Sequence, residues 1–351
     1  MNRPRLFCEF PAGLAAVSLR LQGGAHCRPP ISRMGNKAGF SQTILGVLGL
    51  HSGQGAGAYW WAEADPDVAA LLRIYPDPDA LREVARIIRG WAGEEPRALW
   101  ERLRAERRAR GAAAGTAGEV AVWMWVQGHG DSSQPPRLAA QYAHPEGNSA
   151  GQWKAPPRDW LADRADRLAE VAGWLFVAGG SMMGAGEAPF GGNLEGWENG
   201  AHGDGTSKRP LLARLPDAAD RLASSAISAP VRVSPRIPTA AEVATAIGTP
   251  GDLEGCVVYM DPPYAGTTGY TADLSRAEVV EHALDFANLG ATVAISEAEA
   301  IPDLVRSGWH SVEITGGRVG QKRTFSKQQQ EIITMNKQPQ YTVPTQSSLF
   351  G

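Results

Sequence analysis

VVYMDPPYAGTTGY, residues 257–270, is the stretch on which the fold turns. Two valines, a tyrosine and a methionine make an apolar run that stops at Asp261, and Pro262, Pro263 and Tyr264 follow at once. A short apolar run ended by turn residues predicts a buried strand. The paired prolines hold φ at about −65° and remove two backbone donors, so the carbonyls of the bend can only accept. A strand end is thereby furnished with a carboxylate, an accepting carbonyl and an aromatic ring, a set that suits a planar group bearing an NH₂.

Strand, turn and helix also alternate at the N-terminus. LFCEF (6–10) predicts a short buried strand, and GLAAVSLRL (13–21) a helix after a Pro-Ala-Gly turn. AGFSQTILGVLGL predicts an amphipathic helix ending at the glycine-rich HSGQGAG. AYWWAE (58–63) predicts a second apolar strand with an acid at its end, and DPDVAALLRIY a helix capped by Asp65 or Asp67. From residue 231 the pattern resumes with VRV, CVVYM, a helix at 275–289, the strand ATVAIS and a hairpin-like pair around HSVEIT and QEIITMN. Such alternation predicts an α/β fold built on a parallel sheet.

Between residues 76 and 230 the character changes. DALREVARIIRGWA, PRALWERLRAERRAR, DRADRLAEVAGWLF and a stretch around 211–225 predict helices, and most of the eleven tryptophans fall in this segment. VAVWMWV (120–126) fits a buried strand or a buried helix, and GAAAGTAG (111–118) a linker. The organisation expected is 1–75 and 231–336 as two parts of one α/β domain, 76–230 as a mainly helical insertion, and 337–351 as a flexible tail.

The chain has 351 residues, 43% of them hydrophobic and 20% charged, which is ordinary for a globular protein. No apolar run reaches the about 18 residues that suggest a membrane span, and MNRPRLFCEF lacks a signal-peptide pattern. A cytoplasmic location is the expectation. Cys8, Cys27 and Cys256 are too widely spaced for a zinc site and are expected to be reduced and buried. Seven histidines show no metal-ligand spacing, so no metal is expected. A net charge of −3 gives no overall basic signature of nucleic-acid binding, although a local basic cleft can coexist with it.

Ligands of open α/β sheets sit beyond the carboxyl ends of the strands. Three predicted strand ends carry acids: Glu9, Glu63 and Asp261. Gly13 and the small Ala15 let backbone N–H groups of the first turn approach a ligand, and an acid after the second strand suits ribose hydroxyls; together they imply a nucleoside-containing cofactor. At the third end, the NH₂ of a nucleobase is a poor nucleophile because its lone pair is delocalised. Hydrogen bonds to Asp261 and the Pro262 carbonyl would favour a pyramidal nitrogen aimed at an electrophile, with Tyr264 stacked on the base for about 1–3 kcal/mol. A paired base cannot be held so and must be flipped out.

These residues resemble the DNA amino-methyltransferases that use S-adenosylmethionine, and most closely the adenine-N6 type with its recognition domain inserted before the catalytic motif. EFPAGLAAVSL is similar to that family's first motif with Phe and Pro exchanged and Ala15 for the second glycine. SRMGNK (32–37) is similar to its lysine-bearing cofactor motif, which here follows the glycine motif instead of preceding it. AEADPDVAAL resembles the acidic second-strand motif, and VYMDPPYAGTTGY the catalytic motif. The resemblance spans roughly residues 4–75 and 231–336. It implies a Rossmann-like class I methyltransferase sheet with an inserted helical target-recognition domain. By the same resemblance Glu9, Phe10, Pro11, Gly13, Met34, Gly35, Lys37, Glu63, Asp65 and Asp261 bind S-adenosylmethionine. Glu63 would hold the ribose and Asp65 the adenine end, while Asp261, Pro262, Pro263 and Tyr264 act on the target amine and Tyr270 meets DNA.

The implied reaction is methylation of adenine N6 in double-stranded DNA, with cytosine N4, an RNA substrate, and an inactive fold that binds DNA or a clamp as alternatives. A bacterial or phage-infected cell would be its setting. Lys208 and Arg209 follow a glycine-rich loop and suit phosphate contacts, and Trp197 in the same region could stack or wedge. ERLRAERRAR (101–110) reads as a solvated helix face. Gln346, Leu349 and Phe350 resemble the short peptide with which bacterial DNA enzymes bind the sliding clamp.

Overall fold

The computed structural model describes residues 3–31, 37–109, 164–180, 211–225, 227–262, 274–314 and 331–340. Seven strands form one mixed sheet: β1 (Leu6–Phe10), β2 (Tyr59–Ala62), β3 (Val231–Ser234), β4 (Cys256–Met260), β5 (Thr292–Glu297), β6 (His310–Ile314) and β7 (Glu331–Met335). Their order is β3-β2-β1-β4-β5-β7-β6. Strands β1 to β5 pair in parallel, and β7 runs antiparallel to both its neighbours, β5 and β6. The pair expected at the C-terminal end is therefore present, with β7 inserted beside β5 and β6 outermost.

Central strands buried on both faces read as continuous apolar runs, and every residue of LFCEF and CVVYM is buried. Side-chain parity divides the core. Leu6, Cys8, Phe10, Val258, Met260, Val293 and Ile295 cluster with α8 (Ala240–Ala246), α9 (Arg276–Asn288) and α10 (Pro302–Arg306). Phe7, Tyr59, Trp61, Val257, Tyr259 and Ala294 belong to the opposite cluster, with α1 (Ala16–Gly23), α2 (Ser41–Val47) and α3 (Pro66–Ile74).

Among the described residues, four further helices come from segment 76–230: α4 (Pro78–Gly90), α5 (Pro96–Ala109), α6 (Arg164–Gly180) and α7 (Leu211–Ser224). On α4, Leu81, Val84, Ala85 and Ile88 recur at helical spacing and are buried. Leu81, Val84 and Ile88 join Leu99, Trp100, Phe176 and Leu222 in the cluster that covers the β1–β2 face. These described helices thus enlarge one side of the sheet's own core. On α5, Arg102 pairs with Glu94 at 2.7 Å and Glu106 at 3.2 Å, all well exposed, so this part of the charged run is a solvated face.

Helix starts follow the sequence signals. Asp65 caps α3 and Asp77 caps α4, each with a proline at the first helical position. Thr239 with Glu242, and Ser275 with Glu278, form capping boxes at α8 and α9. Helix α1 is the exception, beginning three residues later than expected with Ala15 as an N-cap that offers no side-chain acceptor.

All three cysteines are free and buried. Burial pushes the Cys27 thiol up to about 12. Among the described residues no helix is long and apolar enough to cross a membrane, and no group of His, Cys, Asp and Glu is placed to hold a metal ion.

Candidate active site

Strands β2 and β3 lie on one side of β1, and β4 and β5 on the other, so the strand order reverses between β1 and β4. Crevices at such a reversal are where open α/β sheets take ligands. Here the strand tips are tied directly. The Asp261 N–H donates to the Phe10 carbonyl at 3.0 Å, and the Ala12 N–H to the Ala62 carbonyl at 2.7 Å. Glu9, Phe10, Pro11, Glu63 and Asp261 are thereby gathered at one edge.

The turn after β1 explains the late start of α1. Gly13 has φ 49° and Ala15 φ 51°, both left-handed. A Cβ on Gly13 would meet nothing within 4 Å, so the backbone there borders open space. The first N–H groups of a helix need acceptors, and Glu9 supplies them from β1: its carboxylate accepts from the N–H of Ser18 at 2.8 Å and of Val17 at 3.3 Å. The Ser18 hydroxyl donates to the same carboxylate at 2.5 Å and accepts from the Trp61 indole at 2.9 Å. Burial pushes the Glu9 carboxyl up to about 7, against the three hydrogen bonds and with help from the nearby Asp261. Glu9, expected to bind cofactor, is placed as the cap of α1.

At the tip of β2, Glu63 accepts the Asp65 N–H at 2.9 Å and sits at the border of buried and exposed. Asp65 turns its carboxylate back onto α3, accepting from the N–H of Asp67 at 3.0 Å and of Val68 at 3.4 Å. Its observed position is that of a helix cap, the first of the two roles the sequence suggested. Glu63 supports the loop that places it.

Asp261 follows β4 and keeps 18% of its side-chain surface exposed. The Lys37 Nζ lies 2.8 Å from Asp261 Oδ1 and 3.1 Å from Glu331 Oε1. Lys37 stands on a single 3-10 turn (Lys37–Gly39) and is buried, as is Glu331 at the start of β7. Ser296, on β5, donates its hydroxyl to Glu331. An ammonium out of water needs such partners, because an unpaired buried charge costs several kcal/mol. Lys37, far from Asp261 in the chain, is thus brought against it by the fold.

Glu331, Ser296 and Ser18 were not singled out from sequence. The available signal was a charged residue leading the apolar strand EIITM and a serine inside VAISE. Met34, Gly35, Pro263, Tyr264, Tyr270, Trp197, Lys208, Arg209, Gln346, Leu349 and Phe350 lie outside the described residues, as do VAVWMWV and GAAAGTAG. No protein-family model matches the chain, and no curated protein matches it.

Proposed function

We propose that the protein transfers a methyl group from S-adenosylmethionine to the exocyclic N6 amine of an adenine flipped out of DNA. The observation that carries this reading is Asp261, partly exposed beyond β4 and bonded through its backbone to the tip of β1, at the reversal of strand order. The mixed sheet is compatible with the Rossmann-like fold that the resemblance implies. Open space beside Gly13 and the Glu63 carboxylate at the tip of β2 suit a nucleoside-bearing group lying across β1 and β2.

When bound, S-adenosylmethionine supplies an electrophilic methyl on a sulfonium. Asp261 and the Pro262 carbonyl would accept hydrogen bonds from the two amine N–H groups and turn the nitrogen lone pair outward. The new bond is nitrogen to methyl carbon, the bond broken is carbon to sulfur, and the amine proton leaves toward the carboxylate side and then to water. Glu9 shapes the turn by holding α1, and Glu63 would hold the ribose. Lys37 opposes the charge of Asp261 until an amine arrives.

The test uses the full chain, cofactor labelled in the methyl group, and duplex DNA and RNA in parallel. Transfer to DNA that yields N6-methyladenine and falls about 10³-fold or more in Asp261→Ala is the expected result. Label on cytosine N4 or on RNA would reassign the substrate. Undiminished transfer by Asp261→Ala would remove the mechanism, and absence of cofactor binding by calorimetry would favour a non-catalytic DNA- or clamp-binding protein.

A further inference from the structure

We propose that Glu331 is a positioning residue of this site, giving the Lys37 ammonium a second anion beside Asp261; the inference rests on the methyl-transfer reading above. Four polar groups form one chain from the interior outward: the Ser296 hydroxyl, the Glu331 carboxylate, the Lys37 ammonium and the Asp261 carboxylate. Ser296 is fully buried, Glu331 and Lys37 nearly so, and Asp261 alone of the four retains appreciable exposure. Burial therefore decreases toward the reacting end.

The geometry gives each link a task. An ammonium has three donors and no acceptor, and here two of its directions are taken by carboxylates from different strands. Glu331 belongs to the sheet and is pinned by a hydroxyl of the neighbouring strand, so its oxygen is a fixed point. Lys37 sits on a single short turn, and that point is one of the anions it meets. At the other end Lys37 engages Asp261 Oδ1, an oxygen of the carboxylate that a target amine must use. An entering amine must share this carboxylate or displace the ammonium from it. With Glu331 present the ammonium keeps a second anion within 3.1 Å and can yield without being stranded. Without it, Lys37 loses that second anion and competes harder with the substrate for Asp261.

Glu331→Gln keeps the size of the side chain and removes its charge. In single-turnover methyl transfer with duplex DNA, the variant should lose about 10-fold in rate with the KM for DNA within about twofold, since DNA affinity is set mainly by phosphate contacts. Ser296→Ala loosens the same carboxylate from its far side and should give a smaller loss in the same direction. Placing Glu331→Gln in a Lys37→Met background separates positioning from mere structure: if Glu331 acts through Lys37, its effect on rate disappears there. Lys37 is also read directly, by acetylation with acetic anhydride and mass spectrometry, where loss of one anionic partner should raise labelling several-fold. Equal rate effects in both backgrounds, or unchanged rate and unchanged labelling in a folded Glu331→Gln, would overturn the proposal. If the wild type transfers no methyl group, the functional reading falls on its own, and the acetylation ratio still decides whether Glu331 holds Lys37.

Discussion

The tips of β1 and β4 are neighbours joined by one backbone hydrogen bond, yet the carboxylates they carry live under different rules. Glu9 is wrapped by N–H and O–H donors of Val17 and Ser18 on α1 and is pushed up to about 7 by burial. Asp261 meets an ammonium that a second carboxylate also grips. Hydrogen bonds from neutral donors and an ammonium both favour the charged carboxylate, but at Glu9 burial outweighs its donors. The first arrangement suits a structural cap, and the second keeps a partly exposed carboxylate beside a cation, suited to accepting hydrogen bonds.

Lys37→Met breaks this contrast most severely. It leaves Asp261 and Glu331 facing one another with the ammonium gone, and stranding buried charge typically costs about 3–5 kcal/mol. Asp261→Ala should cost less stability, because Lys37 keeps Glu331. Urea unfolding of the two variants at neutral pH checks the ranking; a more stable Lys37→Met would show that the charges are not coupled as the distances indicate.

Glu9→Gln tests the other tip through pH. A carboxyl raised in the folded state binds a proton that the unfolded chain has already lost, so stability falls as pH rises between the two values. For Glu9 these are 4.5 and about 7, a gap worth about 3 kcal/mol, fully expressed above the higher value and absent below the lower. Glu242, held down to about 2 by Arg236, has the opposite sign, losing its contribution as pH falls from 4.5 toward 2, outside this window. The measurement is unfolding free energy from pH 4 to 8 in both proteins. The wild-type curve should carry a decline across the window that Glu9→Gln lacks; parallel curves would place the Glu9 carboxyl near its ordinary value.

The sequence made the scaffold more legible than the wiring. Apolar runs announced the strands, and Asp65 announced a helix start, because these signals act over a few residues; the caps Asp77 and Ser275, and the short α8 behind Thr239, went unread. The Lys37–Glu331 pairing joins positions at opposite ends of the chain and depends on β7 entering beside β5. Local pattern carries no trace of that. Asp65 shows the converse: one side chain fitted both a cap and a cofactor contact, and its hydrogen bonds are those of the cap. Helices α4 to α7 were readable as helices, but their sharing of a core with the sheet was not, since amphipathic spacing states that a face is buried without naming its partner.

Ser18→Ala makes a smaller cut at the β1 tip. The Ser18 hydroxyl is the one group that links the Trp61 indole on β2 to the Glu9 carboxylate on β1. Its removal should cost about 1–2 kcal/mol, the range for leaving a buried polar group short of a partner. Most of the loss should vanish in a Trp61→Phe background, where the indole donor is already absent. Additive losses in thermal unfolding would mean that the two hydrogen bonds act independently.

The smallest effect belongs to Ala15→Gly, where opposing contributions nearly cancel. Ala15 holds a left-handed conformation at φ 51°, which costs an L-residue about 1–2 kcal/mol. Glycine would remove that strain, but its unfolded state is freer by about 0.4–1 kcal/mol. The Ala15 methyl is also fully buried, and losing it costs about 0.8 kcal/mol. The net change in stability should stay within about 0.5 kcal/mol, measurable by paired urea titrations. A gain well beyond that would mean that the methyl contributes little and that strain governs the turn. A clear loss would mean that packing beneath the turn, rather than its backbone, holds the tip of β1 in place.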